Sequence, residues 1–273
     1  MISFIDTGGI PEKYINHFEE ALSLKSWEKE VSICILVGYF NFFCNRDVEW
    51  STSKLLPYLT GRNKTHYVGA WEGIVYFSRQ INKDTADIIS SVYLKALKNI
   101  EWLEGEVKKG FLELFLTLLI YVVDKPTLKY IPEFYRNSSS GDWKMFIEII
   151  ELRLRNMDTS KKIDWWNAWL KHFLENRKYN KPLVLEEEEN RAIMDLLPVL
   201  SELFDEAVDV VCKGKMATHL DETFWYDLAD IHVARDHSSS MAKLLIKVLG
   251  NEEGPSYGTE YIKEILKEID ELD

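Results

Sequence analysis

The stretch DWWNAWLKHFLENR, Asp164 to Arg177, places three tryptophans within five positions. On a helix that turns about 100° per residue, these tryptophans fall with Leu170 and Phe173 inside an arc of roughly 140°. The residues outside this arc are polar: Asp164, Asn167, Lys171 and Glu175. This division is typical of an amphipathic helix that faces a core, and not of an aromatic cage around a ligand. The stretch therefore predicts a core-facing helix.

Helical spacing of apolar residues recurs along almost the whole chain of 273 residues, and no segment shows the sustained alternation of a strand. The sequence therefore predicts an all-α fold. Short polar, glycine or proline breaks separate the predicted helices. These helices extend approximately over Pro11–Lys25, Trp27–Cys44, Trp50–Leu59, His66–Gln80, Thr85–Asn99, Gly105–Val123, Leu128–Arg136, Asp142–Asn156, Lys161–Lys178, Glu186–Leu200, Glu202–Lys213, Leu220–Ala234, Ser238–Leu249 and Thr259–Leu272.

Short helices with short links predict stacked antiparallel helix pairs, a HEAT-like α-solenoid with a repeat of about 35–45 residues. LLPYLT at Leu55–Thr60 recurs as LLPVLS at Leu196–Ser201, and YIPEFY at Tyr130–Tyr135 has a related core, although matches this short also arise by chance. We expect residues 1–250 to form the repeat domain. We expect residues 251–273 to form a linker and an amphipathic helix that docks on the stack or on a partner.

Charge and cysteine usage narrow the class of protein. The formal net charge of −12 opposes binding to polyphosphates, so we predict no nucleic-acid partner. Cys34, Cys44 and Cys212 show no CxxC spacing and are interpreted as reduced thiols. The most apolar run, Phe111–Val123, is shorter than the ~20 residues that a bilayer requires. With no pattern of a secretion signal at the N-terminus, the sequence predicts a cytoplasmic protein without a membrane partner.

Motifs for known chemistries are missing from the sequence, which contains no P-loop, dinucleotide fingerprint, nucleophile elbow or HExxH. DTGG at Asp6–Gly9 resembles the start of an aspartic-protease motif, but it has no strand context and no second copy. The acidic run Glu186–Glu189 is interpreted as a first helical turn favoured by the helix dipole. We therefore predict no catalytic, cofactor-binding or metal-binding residues.

The richest polar segment is THLDETFWYDLADIHVARDH, Thr218–His237. Beside its apolar stripe we expect a second stripe that contacts a partner, formed by Asp221, Trp225, His232 and Asp236. The C-terminal helix from Thr259 is a further candidate contact. His232 and Asp236 have i,i+4 spacing, which suits either a metal site completed by His219, His237 or another helix, or an ordinary surface ion pair. An enzyme or small-molecule site near residues 219–237 is therefore the alternative function.

Three segments together resemble a known family: AWEGIVYFSRQ at Ala70–Gln80, the stretch Asp164–Leu200, and ELFDEAVDVV at Glu202–Val211. They are similar to a bacterial helical domain of unknown function at the C-terminal end of larger proteins, including sirtuin-like proteins of anti-phage defence. The resemblance covers roughly Trp27–Gly250. Its most specific part is the Trp-rich helix with the following Asn-Arg and the link of proline and acids. Asp205 departs from it, because a proline is expected there.

The resemblance implies a sensor, scaffold or oligomerisation module and supplies no catalytic residues. In the sirtuin-like members the NAD-consuming chemistry belongs to a separate N-terminal domain, which this sequence lacks. We therefore predict a non-catalytic helical interaction module linked to bacterial anti-phage defence. Its predicted partner is another protein or another domain of a parent chain.

Overall fold

The computed structural model describes residues 9–78, 85–214, 216, 220, 222–250 and 258–271. Helices account for the regular structure in these ranges, none of which contains a strand, and the predicted all-α class is confirmed. The chain divides into two compact units, Met1–Asp124 and Lys125–Asp273. The C-terminal helix belongs to the second unit. The linker predicted from residue 251 lies outside the described residues up to residue 257.

The first unit is built around a cluster of buried aromatic rings. Its helices are α1 (Glu12–Ser23), α2 (Trp27–Gly38), α3 (Phe40–Cys44), α4 (Val48–Lys54), α5 (Leu56–Leu59), α6 (Lys64–Phe77), α7 (Ala86–Ala96) and α8 (Gly105–Tyr121). The ring of Trp71 lies 4.5 Å from that of Phe111 and 4.9 Å from that of Tyr93, measured between centroids. These contacts join α6, α7 and α8 into one core, as aromatic pairs at such distances do.

The second unit contains the remaining helices. They are α9 (Pro126–Asn137), α10 (Ser140–Arg155), α11 (Thr159–Trp165), α12 (Lys171–Lys178), α13 (Glu187–Met194), α14 (Leu196–Val199), α15 (Phe204–Cys212), α16 (Glu222–Asp230), α17 (Val233–Asp236), α18 (Ser238–Leu249) and α19 (Thr259–Asp270). A capping box at Ser139 and Asp142 begins α10. The principal contacts join α10 with α13, α12 with α15, α15 with α18, and α16 with α19.

The Trp-rich helix packs as its sequence predicts. Trp165, Trp166 and Trp169 are buried, whereas Asp164 and Asn167 are exposed. A π-helical turn, residues 166–170, lies between α11 and α12 without ending the helix. Trp166 donates from Nε1 to Glu206 over 3.1 Å, and Lys171 donates to the same carboxylate over 2.7 Å. The helix therefore contributes large apolar surfaces to the core and, at this edge, polar contacts with Glu206.

Several helices predicted as continuous are interrupted. One helix ends and another begins at Tyr39, at Leu55, at Asp195 and between Asp230 and Val233. LLPYLT and LLPVLS behave alike, because each places its Leu-Pro sequence in a separate short helix, α5 or α14. YIPEFY differs, since Pro132 lies inside the continuous helix α9. A proline removes one backbone hydrogen bond, so it can end a helix or be tolerated within one, depending on context.

Candidate interaction surfaces

The polar stripe predicted near the C-terminus is assembled only in part. Trp225 is 0% exposed and contacts Gly258, so its prediction as a partner contact beside the core is wrong. The break after Asp230 separates Trp225 on α16 from Asp236 on α17. Asp236 is exposed. Asp221 and His219 lie outside the described residues.

His232 adopts a left-handed backbone conformation in this break, with φ of 51°. Its Nδ1 lies 2.5 Å from Oε1 of Glu268, and Arg235 approaches the same carboxylate at 3.2 Å. The predicted i,i+4 pair of His232 with Asp236 is therefore replaced by a contact with the C-terminal helix. His237 faces Asp205 at 3.0 Å. Within the described ranges, no three His, Cys, Asp or Glu side chains lie close enough to hold a metal ion.

The C-terminal helix α19 docks on its own unit, against α16 and α17. Ile262 and Ile265 are buried in this contact, as the amphipathic pattern predicts, whereas Leu266 is exposed. The apolar face of α19 is thus largely occupied within the chain. It offers a partner less apolar surface than the sequence suggested.

The tightest helix contact of the first unit joins α2 and α6 through glycines. A Cβ atom on Gly73 would lie 2.0 Å from the carbonyl oxygen of Cys34, and one on Gly38 would lie 2.8 Å from that of Gly73. Gly69 faces Glu30 in the same way, at 3.7 Å. Residue numbers increase together along both helices, so α2 and α6 run parallel. Glycine permits this approach because it lacks the side chain that would separate the backbones.

A groove of about 600 Å³ lies between α2 and α6. One wall is a row of apolar side chains on α2, Trp27, Val31 and Ile35, which are 66%, 45% and 45% exposed. Val68 and Glu72 of α6 form the opposite wall, with Cys34 and Gly69 also lining the groove. A row of exposed apolar residues on this scale marks a binding surface more often than an ordinary solvated face. We call this site the α2–α6 groove.

Polar and aromatic groups bound the α2–α6 groove. Phe77 lines it and stacks on Tyr39 with ring centroids 5.6 Å apart, and both rings are about half exposed. Lys64, in the first turn of α6, lines it as well. Burial and the nearby carboxylate of Glu72 raise the pKa of the Cys34 thiol above its ordinary value. The thiol is therefore protonated and weakly nucleophilic at neutral pH.

A different surface in the second unit is organised by a buried ion pair. Arg177 and Glu189 are both 0% exposed, and two hydrogen bonds of 2.6 Å join the guanidinium to the two carboxylate oxygens. Tyr135 donates to Glu189 over 2.5 Å, and its ring centroid lies 4.4 Å from the Arg177 guanidinium. Burial, together with the charge of Glu189, raises the Tyr135 pKa far above its usual range. The phenol therefore stays a donor.

Arg177 also fixes the segment that links α12 to α13. Its Nη1 donates to the carbonyl oxygens of Lys181 and Leu183, each over 2.8 Å. Asn180 accepts from the backbone nitrogen of Leu185 over 3.0 Å. We call residues 179–186 the anchored loop. Three of its apolar side chains remain exposed, Tyr179, Leu183 and Val184, whereas Leu185 is partly buried.

The buried pair of Arg177 with Glu189 and the apolar row on α2 were not predicted from the sequence. The acidic run begins α13 as predicted, with Glu186 as N-cap and Glu187 to Glu189 in the first turn, but Glu189 is buried whereas the other three are exposed. The signal was its spacing, since Glu189 stands four positions before the buried Ile193. The apolar row on α2 had a spacing signal too. The spacing did not distinguish the exposed face of α2 from the buried face, because both faces are apolar.

Comparison of this chain with protein-family models, curated proteins and solved structures found no match. Along the ranges that the structure describes, no helix has both the length and the apolar character needed to cross a membrane. Cys34, Cys44 and Cys212 form no disulfide. A proposed function therefore depends on the exposed apolar side chains of the α2–α6 groove and of the anchored loop, and on the sequence resemblance.

Proposed function

We propose that this chain is a non-catalytic helical-repeat module that binds another protein, or another domain of a parent chain, in the α2–α6 groove. The observation that carries the proposal is the exposed row of Trp27, Val31 and Ile35 beside a groove of about 600 Å³. Large apolar side chains cost free energy when they face water, at about 25 cal/mol per Å², and a partner that covers them recovers it. Grooves between two helices commonly receive a third helix.

The finer features of the proposal have separate support. The HEAT-like arrangement is supported by LLPYLT and LLPVLS, which both form short helices at breaks, α5 and α14. The link to anti-phage defence is supported by the resemblance of Ala70–Gln80, Asp164–Leu200 and Glu202–Val211 to the bacterial C-terminal domain. A cytoplasmic site is supported by three cysteines without a disulfide.

Affinity capture from the native host, with and without phage infection, tests the function. The wild type is compared with Ile35→Ser in the groove and with Ile246→Ser on α18, which changes an exposed isoleucine of the other unit. Circular dichroism checks that both variants stay folded. We expect Ile35→Ser to lose a partner that the wild type and Ile246→Ser retain. Identical captured proteins for all three chains would refute the groove, and no reproducible partner in either condition would refute the function.

The non-catalytic part of the proposal has its own test. The purified chain is incubated with NAD, with ATP, and with RNA or DNA, and turnover is compared with that of His232→Ala. We expect no turnover above the buffer control for either chain. Turnover that the substitution abolishes would replace this proposal by the enzyme alternative near residues 219–237.

A further inference from the structure

The shape of the α2–α6 groove suits an α-helix as its occupant. Trp27, Val31 and Ile35 succeed one another at intervals of four residues, which aligns them along one side of α2. Gly69 lines the groove without a side chain, so an occupant can approach the backbone of α6 there. An amphipathic helix presents apolar residues at the i, i+3, i+4 and i+7 positions that such a groove receives. A small ligand instead requires a closed pocket with convergent polar groups.

The charges along the groove restrict the chemistry of that helix. Glu72 stands one turn after Val68 on the groove wall, and its charge reaches the Cys34 thiol. Glu72 is exposed, and Glu30, which interacts electrostatically with His66, also lines the groove. Lys64 is the cation among the lining residues, in the first turn of α6. A helix that lies along the apolar wall would therefore bring its flanking side chains beside these carboxylates.

We propose that the occupant of the α2–α6 groove is an amphipathic helix that carries a lysine or arginine opposite Glu72 beside its apolar stripe. This inference rests on the proposed function and specifies the chemistry of the partner. A second copy of this chain fits less well, because each copy carries a formal net charge of −12 and two copies repel. A cationic helix is attracted by the same field and approaches faster.

Two synthetic peptides of about 18 residues test the inference, since shorter isolated helices are only marginally stable. Both have the same leucine stripe on an alanine helix, and they differ in carrying lysine or glutamate beside the stripe. Binding to the full chain is measured by fluorescence anisotropy of the labelled peptide. Occupancy of the groove is measured by protection of Cys34 from a maleimide, with Cys212 of the second unit as the internal reference.

We expect the lysine peptide to bind saturably, to slow the labelling of Cys34, and to leave that of Cys212 unchanged. Glu72→Gln should weaken its binding about fivefold, near the upper end for an exposed ion pair. Glu101→Gln removes the same charge from an exposed position of the same unit and should have no effect. Equal weakening by both substitutions would assign the attraction to net charge and overturn the pairing with Glu72.

The remaining outcomes separate this inference from the function beneath it. If both peptides bind equally, protect Cys34 and require Ile35, the groove binds helices but the proposed charge is wrong. If neither peptide protects Cys34, the helix-binding inference is overturned, whereas captured partners sensitive to Ile35→Ser would still support the function. If sedimentation detects a dimer in which Cys34 is protected without peptide, the second copy is the occupant and the inference is wrong.

Discussion

The α2–α6 contact of the first unit and the Arg177 anchor of the second unit both hold one segment of chain against another, but by opposite means. At α2–α6 the backbones touch because Gly73 and Gly38 have no side chains between them. At the anchor, one long charged side chain fills the interior and bonds Glu189 and the loop carbonyls. The first contact depends on absent atoms, and the second depends on complete pairing of buried polar atoms.

This difference determines which substitutions each region tolerates. A backbone contact is broken by adding a single carbon, because close-packed interiors have no spare volume. A buried ion pair is broken by removing one partner, since the other charge then lacks both water and a counter-charge. Alanine is therefore destabilising in both regions for opposite reasons: it adds a carbon atom at Gly73 and removes a charged side chain at Arg177.

The largest effect is expected for Arg177→Ala. This change leaves Glu189 buried without its cation and deprives the anchored loop of its donors, so the free energy of unfolding should fall by about 3–5 kcal/mol. Urea unfolding monitored by circular dichroism measures the loss. The control is Arg191→Ala, which removes a half-exposed arginine from a pair of 3.5 Å and should cost below about 0.5 kcal/mol. Equal losses of unfolding free energy in the two variants would mean that the buried pair stabilises the fold no more than an exposed one.

The next largest effect is expected for Gly73→Ala. The new methyl carbon would lie 2.0 Å from a backbone oxygen of α2, which cannot rotate away as a side chain could. Overpacking of this kind costs about 1–3 kcal/mol, and we expect the upper end of that range. Thermal and urea unfolding report the change. A variant as stable as the wild type would show that the backbones of α2 and α6 do not touch at Gly73.

A smaller effect of opposite sign is expected for Gly69→Ala, one turn earlier on α6. There the added carbon would make an ordinary contact of 3.7 Å with the carbonyl of Glu30. Alanine in a helix interior is favoured over glycine by about 0.5–1 kcal/mol, so this variant should be more stable than the wild type. The same unfolding experiment checks it. Destabilisation as large as that of Gly73→Ala would mean that the backbones of α2 and α6 are as close at Gly69 as they are at Gly73.

The smallest effect is expected for Glu206→Gln, which tests an exposed ion pair against the buried one. Hydrogen bonds from Lys171 and then Trp166 lower the Glu206 pKa below 4.5. A carboxylate with a lowered pKa stabilises the fold above its unfolded pKa, and this contribution is lost as the pH falls. The side chain is about half exposed, so the loss at pH 7 should stay below about 1 kcal/mol.

Urea unfolding at pH 7 and at pH 3 measures this dependence. The difference between wild type and Glu206→Gln should shrink at the lower pH, because protonation progressively removes the Glu206 charge as the pH falls through its lowered pKa. Glu101→Gln, at an exposed position of the first unit, is the matched control and should change neither value appreciably. A difference that grows as the pH falls would contradict the assigned sign.

Helix content and the core of the Trp-rich segment could be predicted because they depend on local spacing. Trp166 and Phe173 repeat at helical intervals, and this period survives any arrangement of neighbouring helices. Breaks such as those at Leu55 and Asp195 could not be located, because the proline that follows each of them does not always end a helix, as Pro132 inside α9 shows. Whether a nearby proline ends a helix or stays inside it is decided by tertiary packing.

The sites were harder to predict because they depend on which apolar or charged face is buried. Arg177 stands four positions after Phe173 on a core-facing stripe, and this spacing indicates burial. Nothing in the sequence indicates that its partner is Glu189, twelve positions later. Trp225 was placed beside the core because a helix of fifteen residues was assumed, whereas α16 ends at Asp230. The parallel course of α2 and α6 is set by glycine contacts over a long separation. Local periodicity carries no information about such pairing.

The parallel course of α2 and α6 has a consequence for synthesis on the ribosome. Cys34 leaves the ribosome before its contact Gly73, which is separated from it by the whole of α3, α4 and α5. At about 5–20 residues per second, the intervening chain takes several seconds to make. Throughout that interval the face of α2 that packs on α6 is uncovered, so nascent chains should be most vulnerable to chaperone binding or aggregation there. Maleimide labelling of Cys34 in stalled nascent chains should fall once α6 has emerged; labelling that is already low beforehand would contradict this order of events.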